Sequence, residues 1–238
     1  MVAHPTHAMV MAAGLGKRML PLTEDIPKPM VKVAGRPLID HVLDRLSSAG
    51  VADVVLNLHY KGDVLKDYLE GRDSPTIVYS DETNELLDTG GGVKKALPLL
   101  GDAPFFTHNS DSLWIEGMSD NLRRMGEMWD EDKMDALMLL APLASCTGFD
   151  GRGDFTMDGI GRLRRRKERT VAPFVWTGVQ IIRPEMFEDT PEGPFSTNLI
   201  WDRAIENDRL YGIRLDGRWM HVGSPAGIDE AEAVLRQP

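Results

Sequence analysis

Residues 8–29 read AMVMAAGLGKRMLPLTEDIPKP, and the order of features in that stretch sets the frame for the rest of the chain. The apolar run from Ala8 to Ala13 predicts a short buried strand, because it is continuous and ends on glycine. A loop follows at once, carrying Gly14, Gly16, Lys17, Arg18, Pro21, Pro27, Lys28 and Pro29. It leaves the carboxyl end of a strand, the edge of an open α/β sheet where ligands gather. Glycine lets backbone N–H groups approach an anion that a Cβ would hold off, and Arg18 and Lys28 add full charges. The mixture suits phosphate. Two other phosphate loops do not match. Met19 stands where a dinucleotide-binding loop has its third glycine; Met11 and Arg18 stand where a P-loop needs its leading glycine and its Ser or Thr.

Outward from this loop, Pro37 to Ala49 predicts a helix, with Ile39, Val42, Leu43 and Leu46 on one face and Gly50 as a stop. Asp53 to Leu58 predicts a strand, Gly62 to Leu69 a helix, and Thr76 to Tyr79 another strand. This β-α-β-α-β order implies a Rossmann-like, mainly parallel sheet with helices on both faces. A helix over Val93 to Leu100 is expected directly after a Thr89-Gly90-Gly91-Gly92 loop, and a strand over Ala103 to Thr107 leads into His108-Asn109-Ser110-Asp111. Further on, helices are expected at Asn121 to Trp129, at Asn198 to Glu206 and after Ser224-Pro225. Strands are expected at Ala136 to Leu140, Leu210 to Leu215 and Trp219 to Val222, with short strands and turns from Arg152 to Ile182.

The chain has 238 residues and no linker, repeat or low-complexity tract, so one domain is expected over 1–238. Its halves would be roughly 1–115 and 116–238. Lys and Arg number 27 against 37 Asp and Glu, and the net charge of −10 argues against nucleic acid or an anionic membrane as partner. No leader-like N-terminus and no membrane-length apolar run is present, so a cytoplasmic protein is expected. Cys146 is the single cysteine, which excludes an intrachain disulfide and reads as packing.

The order Gly14-x-Gly16-x-Arg18, Pro21-Leu22-Thr23 and Pro27-Lys28-Pro29 resembles the signature of sugar-1-phosphate nucleotidyltransferases, also called nucleoside-diphosphate-sugar pyrophosphorylases. The run LLDTGGGVKKALPLLGDAPF over residues 86–105 resembles the uridylyltransferase group that acts on N-acetylmuramate 1-phosphate. The resemblance implies the nucleotide-diphospho-sugar transferase fold, and this chain ends before the C-terminal β-helix that many members carry. It implies nucleoside triphosphate and sugar 1-phosphate as substrates, with pyrophosphate released. Mannose-1-phosphate guanylyltransferase, the more distant choline-phosphate cytidylyltransferase and a non-catalytic sugar-nucleotide-binding relative are the alternatives.

The resemblance also assigns residues. Arg18 would neutralise the leaving pyrophosphate and Lys28 would bridge the reacting phosphates, while Ala13, Gly14, Gly16, Lys17, Gly90 and Gly91 would bind nucleotide. Asp111 would hold Mg2+, with Mn2+ as an option, since hard cations take oxygen ligands. Ser110 stands where the family usually has glycine. The second metal position, aspartate in the family's Trp-x-Asp-Val-Gly, is His221 in Trp219-Met220-His221-Val222-Gly223. That histidine reads as a ligand for a softer metal, as a contact to phosphate or metal-bound water, or as a mark of weakened catalysis. Asn109, Gly153, Thr177 and Gly178 are expected at the sugar, although Gly151 to Gly153 reads equally as a plain turn and Phe174 and Trp176 as core. The basic run Arg162 to Arg169 draws in anions or is a solvated strand face. The family's Glu-Lys-Pro is absent there, so Lys167 receives no role.

Overall fold

The computed structural model describes residues 4–236, so both ends of the expected 1–238 unit lie outside the described residues. The elements run β1 (His7–Met11), the two-residue strands β2 (Lys32–Val33) and β3 (Arg36–Pro37), α1 (Leu38–Ser48), β4 (Asp53–Leu58), α2 (Gly62–Leu69), β5 (Thr76–Asp81), α3 (Asp88–Leu100) and β6 (Phe105–Asn109). They continue with β7 (Ser112–Glu116), α4 (Asn121–Met128), β8 (Ala136–Pro142), β9 (Phe155–Met157), β10 (Leu163–Arg165), β11 (Phe174–Ile182), α5 (Asn198–Glu206), β12 (Leu210–Arg214), β13 (Gly217–His221) and α6 (Pro225–Leu235).

Nine strands form the main sheet, in the order β10-β9-β11-β6-β1-β4-β5, with β8 on β11 and β12 on β8. The segment β6-β1-β4-β5 is parallel throughout, whereas β11 runs antiparallel to both β6 and β8. The expected Rossmann-like layer is therefore present, and the second half attaches to it through β11. Alternation along β1 shows why these strands read as continuous apolar runs. Ala8 and Val10 enter the core beneath α1, α2 and α4, while Met9 enters the core beneath α3 and α5. A parallel strand buried on both faces needs apolar residues at every position. A third cluster joins Met19 of the glycine loop to Met220, Val222 and the α6 residues Ala231 and Val234. α6 begins as expected, with the Ser224 hydroxyl accepting from the Gly227 N–H at 3.3 Å.

The structure corrects the glycine segment. Gly90, Gly91 and Gly92 are not a loop before a helix but lie within α3 and are buried. Both Gly90 and Gly91 donate their N–H groups to the Phe195 carbonyl, at 2.8 and 3.2 Å, and a Cβ on Gly91 would collide with the Gly193 carbonyl. The bare backbone expected at the nucleotide is turned against the segment before α5. Gly91→Ala is accordingly expected to destabilise the fold by about 2–3 kcal/mol, because a backbone atom cannot yield as a side chain can. Urea unfolding measures it, and an unchanged midpoint would refute this packing.

One polar cluster is sealed inside. His108 on β6 stacks on Trp114 of β7, with ring centroids 5.5 Å apart, and the Arg45 guanidinium lies 3.7 Å from the Trp114 centroid. Full burial pushes the His108 imidazole from 6.5 down to about 3, although its hydrogen bond to the Asn109 carbonyl works the other way. Between those values only the unfolded chain binds the proton, so stability falls as pH drops below 6.5. This group alone should remove about 2 kcal/mol between pH 7 and pH 5. His108→Phe, which keeps the stack, should flatten unfolding free energy over that interval; the same pH dependence in both proteins would contradict the assignment.

Candidate active site

Parallel strands β1, β4 and β6 end at one edge, and the cleft opens where the chain leaves β1 on one side and β6 on the other. That is the switch point at which such sheets place ligands. The cleft has a volume of about 340 Å³, and its walls are formed by Ala12, Ala13 and Gly14 of the loop after β1, by Leu86, Asp88 and Thr89 around the start of α3, and by Asn109, Ser110 and Asp111 where the chain leaves β6. A second hollow of about 340 Å³ continues from it beneath Gly16, Lys17 and Arg18. Lys28, Gly14 and Leu86 line both. Lys28 thus sits at the junction of the two hollows.

Local chemistry shapes the loop. Gly16 adopts the left-handed region at φ 65°, and Thr23 packs beneath it with its hydroxyl donating to the Gly16 carbonyl at 2.9 Å. Tyr60 in turn donates to the Thr23 carbonyl at 2.9 Å. A side chain at 16 would be strained and would meet Thr23, whereas a Cβ at Gly14 has open space around it. Gly16 is therefore required by the fold, and Gly14 is spare room beside the cleft. Met19, which takes the place of a third glycine, is fully buried and anchors the turn. Lys17 and Arg18 are left exposed at the rim.

Lys28 Nζ forms an ion pair with the Asp111 carboxylate, and the side chains retain only 14% and 17% of their exposure. Burial pushes the Asp111 carboxyl up, but the charge and hydrogen bond of Lys28, with His221 beyond, outweigh it and hold the group below the usual carboxylate range. His221 comes from β13, which pairs with β7 so that His221 is opposite Ser112. Burial lowers its pKa; Asp111 opposes this, and Lys28 and Arg18 add to it, so the imidazole is neutral at pH 7. Its ring packs against both Trp219 and Phe149, at centroid distances of 5.7 and 6.4 Å, and those two rings also touch each other.

Among the described residues no group of three or more His, Cys, Asp or Glu side chains is placed to hold a metal ion. What the chain offers is one carboxylate, already stabilised by a cation, with a neutral imidazole near it. A divalent cation held here would have to complete its shell with water and substrate phosphates, as hard cations commonly do. The set does not form a closed cage made by the protein alone.

The structure separates the residues expected at the sugar. Gly178, at φ 88°, makes room for Asn109, whose Nδ2 would lie 2.8 Å from a Cβ there. Asn109 lines the cleft, and Gly178 is buried directly against it. Thr177 is corrected: it is 1% exposed and its hydroxyl donates to the Leu139 carbonyl at 2.9 Å, so its side chain serves the sheet. Gly153 is buried at φ 75° against the Ala172 carbonyl, a packing reason for that glycine. Asp154 beside it accepts from the Trp176 N–H at 2.9 Å. The basic run divides into ion pairs at and beside β10, Arg162 and Arg164 with Asp208 and Arg165 with Asp202. Arg166 donates to the Gly153 carbonyl at 3.0 Å. The Cys146 thiol is pushed up to about 11, first by burial and then by Asp154, and is no nucleophile at neutral pH.

Two residues of the site carry no signal in the sequence. Asn57, at the end of β4, lines the cleft, and Glu82, just past β5, is buried behind it. Neither lies in a recognisable motif; only the position at the carboxyl end of a strand could have drawn attention to them.

Residues 7–150 match the family model described as nucleotidyl transferase. The chain is 44% identical over 237 residues to the N-acetylmuramate alpha-1-phosphate uridylyltransferase of Caulobacter vibrioides, covering 98% of each. It is 31% identical to the enzyme of that name from Neisseria meningitidis serogroup B, covering 95% of this chain and 97% of the other. Among solved structures, a UDP-glucose pyrophosphorylase complexed with UDP-glucose superposes with a TM-score of 0.79 at 20% identity, covering 96% of this chain and 97% of that one, a likeness of fold.

Proposed function

The chain belongs to the nucleotidyl transferase family, and from that premise we propose that it joins UTP to N-acetylmuramate 1-phosphate, giving UDP-N-acetylmuramate and pyrophosphate. Identity spread over 98% of both chains to a uridylyltransferase carries the choice of substrates. The Lys28–Asp111 pair at the junction of two hollows supports the chemistry. An oxygen of the sugar phosphate attacks the α-phosphorus, a new P–O bond forms, and the bond to the β-phosphate oxygen breaks with pyrophosphate leaving. No side chain need remove a proton, since a phosphate monoester with a second pKa of about 6 is largely dianionic at neutral pH. The obstacle is repulsion between two anions, so positioning and charge neutralisation supply the catalysis.

In this reading the backbone of Ala13, Gly14 and Gly16 cradles the triphosphate, with Lys17 and Arg18 at the rim toward the leaving pyrophosphate. Lys28 holds the attacked and attacking phosphates together, and Asn109 with Gly178 meets the sugar. Asp111 and His221 would hold a divalent cation, which when bound neutralises phosphate charge. Gly90, Gly91 and Thr177 act by packing instead. In this reading the protein acts in the cytoplasm, where its nucleoside triphosphate substrate is found. Pyrophosphate release measured over the four common nucleoside triphosphates, a panel of sugar 1-phosphates including mannose 1-phosphate, and Mg2+ or Mn2+ tests the proposal. Release with UTP and N-acetylmuramate 1-phosphate is expected, and a stronger signal with GTP and mannose 1-phosphate would overturn it.

A further inference from the structure

We propose that Asn57 and Glu82 form a positioning relay that sets the distance between the two walls of the nucleotide cleft. The inference rests on the nucleotidyl transfer reading above. Glu82 and Asn57 are 1% and 2% exposed, an unusual setting for a carboxylate with no cationic partner among its hydrogen bonds. Its partners explain it. The Ala12 N–H, where the glycine loop leaves β1, donates to Asn57 Oδ1 at 2.7 Å. Asn57 Nδ2 donates to Glu82 Oε1 at 2.8 Å, and the Leu87 N–H donates to Glu82 Oε2 at 3.1 Å. Ala12 begins one wall of the cleft, and Leu87 immediately precedes Asp88 and Thr89 on the other.

The direction of these bonds dictates the residue types. Both ends of the relay are backbone N–H groups, which can only donate. Asn57 must therefore turn its oxygen to Ala12 and its amide nitrogen to Glu82. The group at 82 is then left with two donors aimed at its two oxygens. A carboxylate satisfies both; a glutamine would oppose one donor with another. The third glycine of the triplet belongs to the same arrangement, since a Cβ on Gly92 would lie 2.7 Å from Glu82 Oε1 and 3.2 Å from Asn57 Nδ2. The glycine triplet thus has two jobs in packing: Gly90 and Gly91 admit the segment at 193–195, and Gly92 admits the relay.

This logic allows a test by exchange. Glu82→Gln alone places donor against donor, and Asn57→Asp alone places carboxylate against carboxylate. The double substitution restores every bond with the charge moved to the other residue: the aspartate accepts from Ala12 and from the glutamine amide, whose oxygen accepts from Leu87. UTP affinity by calorimetry and KM for UTP by pyrophosphate release should weaken roughly tenfold or more in each single variant, while KM for N-acetylmuramate 1-phosphate stays within about twofold. The double variant should return to within about threefold of the parent. A UTP affinity unchanged in the singles would overturn the relay, as would parallel loss of both KM values. A double variant that fails to fold, or binds UTP no better than the weaker single, would also overturn it. Should one single variant not fold, the other and Asn57→Ala carry the same comparison. Calorimetry needs only UTP, so a parent that binds UTP but makes no product with this sugar faults the substrate assignment and leaves the relay to be judged on binding.

Discussion

Lys28→Ala is expected to lower turnover by roughly 10²–10³-fold, the loss typical of removing one preorganised donor from a developing anionic transition state. The expectation follows from where the ammonium sits. Lys28 lines both hollows of the site, follows Pro27, and heads a short 3₁₀ turn whose next residue, Pro29, is buried. Its stem is thereby fixed, and no other lysine among the described residues lines both hollows. The substitution also strands Asp111, whose charge Lys28 stabilises most directly. A carboxylate left without its partner takes up a proton more readily, so the variant should retain its fold at the cost of an Asp111 that titrates higher. Lys28→Met, which keeps the stem and loses the charge, should fall as far in turnover as the alanine variant. Pyrophosphate release within about tenfold of the parent in either variant, with circular dichroism unchanged, would remove Lys28 from the chemistry.

The parts of the molecule that were legible in the sequence are those in which a local pattern and its physical cause coincide. Strand β1 and the loop after it could be read because an apolar run buried on both faces has one simple explanation, and the glycines and cations that follow have few. The extent of α3 could not. Three successive glycines disfavour a helix by about 1 kcal/mol each relative to alanine, so propensity places its start at Val93. The start at Asp88 is set by Phe195, Gly193 and Glu82, which fill the space that side chains would need. Thr177 was hard to place for a related reason: the register of β11 against β8 shifts between Trp176 and Gln180, so simple alternation does not tell which side Thr177 faces. The ribbon of β7 and β13 was only half visible. Trp219 to Val222 reads as a strand, but its partner, Ser112 to Glu116, lies directly after the Asp111 loop and far from it in sequence. The Asn57–Glu82 pair is 25 residues apart in sequence, and only the adjacency of β4 and β5 brings it together.

That ribbon carries the second large prediction, because it delivers His221 to the neighbourhood of Asp111. The Val222 N–H donates to the Asp111 carbonyl at 3.3 Å, and the Trp219 indole donates to the Ser112 hydroxyl at 2.9 Å, so the ends of β7 and β13 are tied at the point where both side chains enter the site. Asp111→Asn keeps the shape of the side chain and removes its charge. Turnover should fall by about 10²-fold, and the half-saturating Mg2+ concentration should rise, since a neutral amide is a poor ligand for a hard cation that competes with water. The same titration on His221→Asp should move the opposite way. A second carboxylate would face Asp111 with Lys28 and Arg18 close enough to offset the repulsion. Half-saturation by Mg2+ should then drop, and by more than half-saturation by Mn2+ does, because imidazole suits Mn2+ better than it suits Mg2+. Mg2+ titrations that coincide for the parent and Asp111→Asn would exclude Asp111 as a ligand. Coincident curves for the parent and His221→Asp would mean that the imidazole acts on phosphate rather than metal. The two substitutions therefore separate the carboxylate's role from the histidine's on one experimental axis.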